Sequence, residues 1–191
     1  MSYFNKETAD AMHAFLEKGM PRYMDILCGM IGINSFTLNP DGVNRLGDYT
    51  AGVFRDLDFT DERVQSVNPS YGRHLVLSRK GASPIVIGCV SHLDTVFSPE
   101  EEERNNFRWR VDGDRIYGPG AEDIKGGTVV MLMTLEALKH VAPGSFDGVT
   151  WSLLLDASEE TESVDFGELC KERVKPGFLE GGFHDFSRSL I

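Results

Sequence analysis

The sequence predicts an α/β fold organised around an open sheet, and three observations carry that expectation. The run Ile85, Val86, Ile87, Gly88, Cys89 and Val90 is short, apolar and rich in β-branched residues, the composition of a strand buried on both faces. A second apolar run, Val149 to Leu155, follows a helical periodicity of apolar residues from Thr128 to His140. Both runs stop abruptly at polar residues, Ser91-His92-Leu93-Asp94 and Asp156-Ala157-Ser158-Glu159-Glu160. In open α/β sheets ligands bind beyond the carboxyl ends of the strands, so chemistry is expected at these two exits.

The remaining elements follow in chain order. From Asn5 to about Ile31, Ala11, Met12, Phe15, Leu16, Tyr23 and Leu27 recur at helical spacing, with a break or kink expected at Gly19-Met20-Pro21. His13 falls among these residues and reads as a surface or packing side chain. Asn34 to Gly47 reads as a loop with turn chemistry at Pro40-Asp41-Gly42, and Arg45 to Leu57 as a second helix. Strands at Arg63 to Val67 and Arg73 to Ser78 flank Asn68-Pro69-Ser70-Tyr71-Gly72, a hairpin-turn composition, and are expected to form a sheet edge beside the Ile85 to Val90 strand. Glu100 to Glu103 read as a solvated loop or helix start. A short hairpin through Asp112-Gly113-Asp114 leads into GPGAEDIKGG, whose glycines let the backbone turn tightly around Asp123. That loop lacks G-x-x-x-x-G-K-[ST] and offers a carboxylate where a phosphate would want donors, which favours a metal over a nucleotide.

Composition narrows the partners. A formal net charge of -11 argues against nucleic acid or an anionic membrane surface. No run of about 18 apolar residues occurs, and MSYFNKETADAMHAFLEK lacks the basic start and apolar stretch of a secretory signal, so the expectation is a soluble, cytoplasmic protein. Cys28, Cys89 and Cys170 lie far apart without CxxC spacing, as reduced thiols would, and Cys89 reads as a packing residue.

Three stretches therefore offer His92 and Asp94, then Asp123, then Glu159 and Glu160. Each alone has a bland reading: a loop histidine satisfied by a nearby aspartate, or glutamates solvating a helix start. Together, one imidazole and several carboxylates at one sheet edge would repel unless divalent cations sat among them, and mixed His and carboxylate donors suit Zn²⁺ or a related metal.

The ordered motifs SHLDTV, GPGAEDIKGG and ASEETES resemble the M20 family of metallopeptidases, and INSFTLNPDGVNRLGDYTA is most similar to its glutamate carboxypeptidase branch. The resemblance implies a three-layer α/β/α sandwich of zinc exopeptidase type with a central mixed, largely parallel sheet, truncated at its C-terminal side. Residues 1–178 would be the N-terminal part of the catalytic domain and 179–191 a divergent tail, with the lid or dimerisation domain absent. Such a truncation leaves an apolar sheet edge open to self-association. The resemblance also implies site roles: His92 as a ligand of one metal and Glu160 of the other, Asp123 as a ligand bridging the two, Glu159 as general base, and Asp94 as the carboxylate that holds and polarises His92. It places a non-proline cis peptide between Asp123 and Ile124. A complete site would hold two Zn²⁺, with Co²⁺ or Mn²⁺ accepted by the same donors. A metal-bridged water, deprotonated by Glu159, would attack the amide of a small peptide or N-acyl amino acid. The family needs further ligands beyond the glutamate pair, where Glu180, His184 and Asp185 are the nearby donors and Asp185 is the candidate. Two readings follow: a hydrolase releasing a C-terminal, glutamate-like amino acid or cleaving an N-acyl amide, or an inactive remnant that keeps the fold and binds metal weakly or not at all.

Overall fold

A computed structural model describes residues 5–161 and 163–174. In chain order the elements are α1 (Lys6–Ile31), α2 (Pro40–Phe54), β1 (Thr60–Gln65), β2 (Arg73–Arg79), β3 (Val86–His92), α3 (Pro99–Asn105), β4 (Arg110–Asp112), β5 (Arg115–Tyr117), α4 (Lys125–Val141), α5 (Pro143–Gly148), β6 (Thr150–Asp156) and α6 (Phe166–Arg173).

Helix α1 runs unbroken through the expected break. Pro21 lies on its exposed side, where water can bond the carbonyl that the missing N–H leaves free. The half that follows buries Tyr23, Ile26, Leu27, Met30 and Ile31. Helix α2 begins five residues before the expected Arg45, within the segment read as a loop. Asn39 Oδ1 accepts the Gly42 N–H at 3.2 Å, and Pro40 takes the first helical position, where an N–H has no partner to lose. The same Pro-Asp-Gly that suits a turn starts a helix when an asparagine cap precedes it. The four glutamates fall in or beside the first turns of α3, whose capping box pairs Ser98 with Glu101.

Four strands form the central sheet in the order β1-β2-β6-β3. Strands β1 and β2 pair antiparallel, as do β2 and β6, while β3 and β6 are parallel, so the sheet is mixed and partly parallel. The β1–β2 hairpin forms an edge, but beside β6 rather than β3. The strand covered on both faces is β6, buried from Trp151 to Asp156. Among the described residues β3 is the opposite edge, with Ile87 and Val90 exposed, and is not buried on both faces. An apolar, β-branched run fits either place, because side-chain pattern does not encode the number of neighbouring strands.

The layers are α/β/α. Leu75 and Leu77 of β2 and Leu153 and Leu155 of β6 meet Leu46 of α2, Met30 of α1 and Leu132 of α4 in one cluster. On the other face Val76 and Leu154 meet Phe166 and Leu169 of α6. The β4–β5 hairpin turns at Gly113, whose φ of 62° only glycine adopts freely. The three cysteines are free, and His13 is exposed near Glu17. Among the described residues no helix is long and apolar enough to cross a membrane.

Candidate metal centre

Parallel pairing of β3 with β6 brings their carboxyl ends to the same edge, with His92 opposite Asp156. The Leu93 N–H donates to the Asp156 carbonyl at 2.7 Å and carries the pairing one residue further. Asp94 then turns inward and is 1% exposed. Its Oδ1 accepts the Glu159 N–H at 3.0 Å, and its Oδ2 accepts the Glu160 N–H at 3.1 Å and the Thr37 hydroxyl at 2.7 Å. A buried carboxylate needs such donors, and these three fix the course of the loop after β6. Thr37 arrives through a parallel bridge between Phe36 and Thr95, in which the Thr37 N–H donates to Thr95 and the Thr95 N–H to Ser35.

Asp123 comes from the loop before α4, and the Asp123–Ile124 peptide is cis, as the family resemblance implied. Gly120 has φ 73°, and a Cβ there would meet Thr95 Cγ2 and the Lys125 chain at 3.0 Å. At Gly126 a Cβ would lie 2.3 Å from the Ala121 carbonyl oxygen, so this turn needs both glycines. Lys125 folds under the loop, 2% exposed, and its ammonium donates to the Ile33 carbonyl at 3.0 Å. Burial outweighs the attraction of Glu102 and lowers this ammonium to about 8.

Between these elements sits the imidazole of His92. Its Nδ1 lies 3.0 Å from the Asp94 carbonyl oxygen and 3.4 Å from Asp94 Oδ1. A carbonyl only accepts, so Nδ1 carries the hydrogen and Nε2 faces the crevice. There Nε2 is 3.0 Å from Asp123 Oδ1 and 3.8 Å from Glu159 Oε2. One donor atom from each of His92, Asp123 and Glu160 lies within 4.8 Å of the others. Burial disfavours charge on His92, but its bonds to Asp94 and Asp123 and the field of Glu159 outweigh that and push it up to about 9. Burial also raises Glu160; the charge on His92 works against this, while Asp123, Asp94 and Glu159 add to it. Crowded carboxylates around one oriented imidazole are what a divalent cation would neutralise, so the donor set fits a metal of the zinc type. A crevice walled by Phe97, Ile116 and Tyr117 opens onto Asp123 and Glu160.

All five residues singled out at the strand and loop exits, His92, Asp94, Asp123, Glu159 and Glu160, meet here. Asp185, with Glu180 and His184, lies outside the described residues. The sequence reading missed Thr37 and Lys125. Lys125 carried a signal, since it sits two residues after Asp123 in the glycine-rich loop, whereas Thr37 carried none.

Comparison with known proteins places the chain in a family and a fold. The profile of Peptidase family M20/M25/M40 matches residues 88–184. Carboxypeptidase G2 of Pseudomonas sp. (strain RS-16) is 30% identical over 155 residues, covering 81% of this chain and 36% of its own. The fold is similar to that of the di-peptidase Dug1p from Saccharomyces cerevisiae, with a TM-score of 0.68 and 14% identity over 85% of this chain and 37% of that one. It is similar too to human carnosine dipeptidase 1, with a TM-score of 0.67 and 16% identity over 91% and 39%. The chain thus spans well under half the length of each.

Proposed function

The chain belongs to peptidase family M20/M25/M40, and from that premise we propose that it carries the metal-binding and proton-transfer groups of an enzyme that hydrolyses a peptide or N-acyl amide bond. The observation that carries this reading is the single carboxylate of Asp94, which holds the Glu159 and Glu160 amides in its two oxygens while its own main chain orients His92. His92, Asp123 and Glu160 would hold a divalent cation, zinc by the chemistry of the donors, with Co²⁺ or Mn²⁺ as substitutes. When bound, the cation supplies Lewis acidity: it polarises the scissile carbonyl and acidifies water. With two ions, as the family resemblance implies, His92 would serve one, Glu160 the other and Asp123 both; the pair needs donors beyond these three, and Asp185 is the proposed source of one.

The remaining roles belong to the chain itself. Glu159 stands beside the donor set with its side chain 58% exposed. It is placed to take a proton from water at Oε2 and return it to the leaving nitrogen. Asp94 keeps the hydrogen of His92 on Nδ1, which leaves Nε2 for the metal. The apolar wall of Phe97, Ile116 and Tyr117 would seat a side chain of the substrate and exclude water from one side. Likeness to the glutamate carboxypeptidase branch favours release of a C-terminal, glutamate-like residue.

The test is hydrolysis of acyl-glutamates and dipeptides by the zinc-loaded, full-length protein and its Glu159→Gln variant. We expect turnover to fall at least about 100-fold with zinc affinity retained, because general acid–base groups contribute about 10²–10⁴-fold. Equal turnover in the variant would remove Glu159 from the chemistry.

A further inference from the structure

Away from the metal centre, His74 is a buried titratable side chain with no role in the reading above. It lies on β2, 1% exposed, between two carboxylates on opposite sides of its ring. Nδ1 is 3.1 Å from Asp156 Oδ1, and Nε2 is 3.2 Å from Asp165 Oδ2. Asp156 ends β6, and Asp165 is the residue from which α6 starts. Between them runs the loop that carries Glu159 and Glu160, so one imidazole touches both ends of it.

The anchors are themselves fixed. Asp156 Oδ1 accepts the Ser158 N–H at 2.9 Å, and Asp165 Oδ2 accepts the Val67 N–H at 2.8 Å. The Ala157 amide nitrogen lies 3.1 Å from His74 Nδ1. In either protonation state the ring therefore stays tied to both ends. Protonated, it donates to Asp156 and Asp165; neutral with its hydrogen on Nε2, it donates to Asp165 and accepts from Ala157. Burial works against charge on the ring, and the two aspartates outweigh it, so the imidazole is raised above its usual value. The carboxylates stand on opposite ring nitrogens and so do not converge on a common point, and His74 with its two aspartates is not a metal site.

We propose that His74 is a positioning residue: by joining Asp156 to Asp165 it holds the Glu159–Glu160 loop against Asp94. Its importance for catalysis rests on the roles given to Glu159 and Glu160 above, whereas its effect on the loop does not. The direct test is amide hydrogen exchange, resolved by residue, on the full-length protein and its His74→Gln and Asp165→Asn variants. In His74→Gln the Glu159 and Glu160 amides should exchange about 10-fold faster or more, while Leu153 and Leu154 in β6 keep their protection, because local opening is decoupled from global unfolding. Unchanged exchange at Glu159 and Glu160, or equal acceleration throughout the sheet, overturns the proposal.

Asp165→Asn, at a partly exposed site, should accelerate the same two amides by a smaller factor. If His74→Gln does not fold, this variant decides, and unchanged exchange in it refutes the positioning role. A zinc titration run alongside separates the two claims. Absence of zinc binding by the unaltered protein would refute the proposed function, while the exchange rates would still judge His74.

Discussion

Asp94 does more at this site than its position in a His-x-Asp motif suggests. Replacement by asparagine keeps its size but turns one acceptor into an NH₂ group facing an N–H. Asp94→Asn should lower stability by about 1–3 kcal/mol, the cost of leaving buried hydrogen-bonding groups unmatched. It should also weaken zinc binding by about 10–100-fold, since the loop that carries Glu160 loses its carboxylate anchor even though His92 keeps the main-chain carbonyl of residue 94. Urea unfolding and calorimetry read the two effects, and wild-type zinc affinity in a folded variant would detach Asp94 from the site. His92, Asp94, Glu159 and Glu160 were legible because all four lie within a few residues beyond an apolar run, where a strand ends. Thr37 was not legible. Its bond to Asp94 spans 57 residues of sequence, and nothing in Ser35-Phe36-Thr37 marks that partner. His74 had a faint signal as a histidine next to the apolar Leu75-Val76-Leu77 run of β2, but its two aspartates come from β6 and α6.

At the scale of elements, the sheet order corrects the pattern-based reading. Runs of apolar residues located β3 and β6 to within two residues at either end and read both as buried, which holds for β6 and fails for β3. The energetic consequence is measurable. Leu154 of β6 is fully buried, whereas Val90 of β3 is 58% exposed. Leu154→Ala should cost about 2–5 kcal/mol, as core truncations do. Val90→Ala should stay within about 0.5 kcal/mol. Urea denaturation of both variants checks the order, and comparable losses would mean that β3 is as enclosed as β6. Helix boundaries failed for a related reason: Pro40-Asp41-Gly42 and Pro21 were weighed as turn and break signals before their caps and exposed faces could be seen.

At the largest scale, the described residues form a three-layer sandwich in which the parallel pairing of β3 with β6 opens the site, and the surrounding α/β scaffold serves to bring three distant stretches of sequence to it. The class of fold and the family were readable because three motifs occur in order, a coincidence that no single motif provides. Substrate and metal number were not readable, because the chain spans 36% of its carboxypeptidase relative and no apolar run leads into Asp185 as one leads into His92 and Glu160. The central claim is that His92, Asp123 and Glu160 form one divalent-cation site. Calorimetric titration of zinc into the metal-free protein and into Asp123→Ala tests it most directly, because the Asp123 side chain is 74% exposed and its loss should spare the fold. The account predicts stoichiometric binding by the unaltered protein that is abolished in the variant. No stoichiometric binding, or equal binding by both, would contradict it.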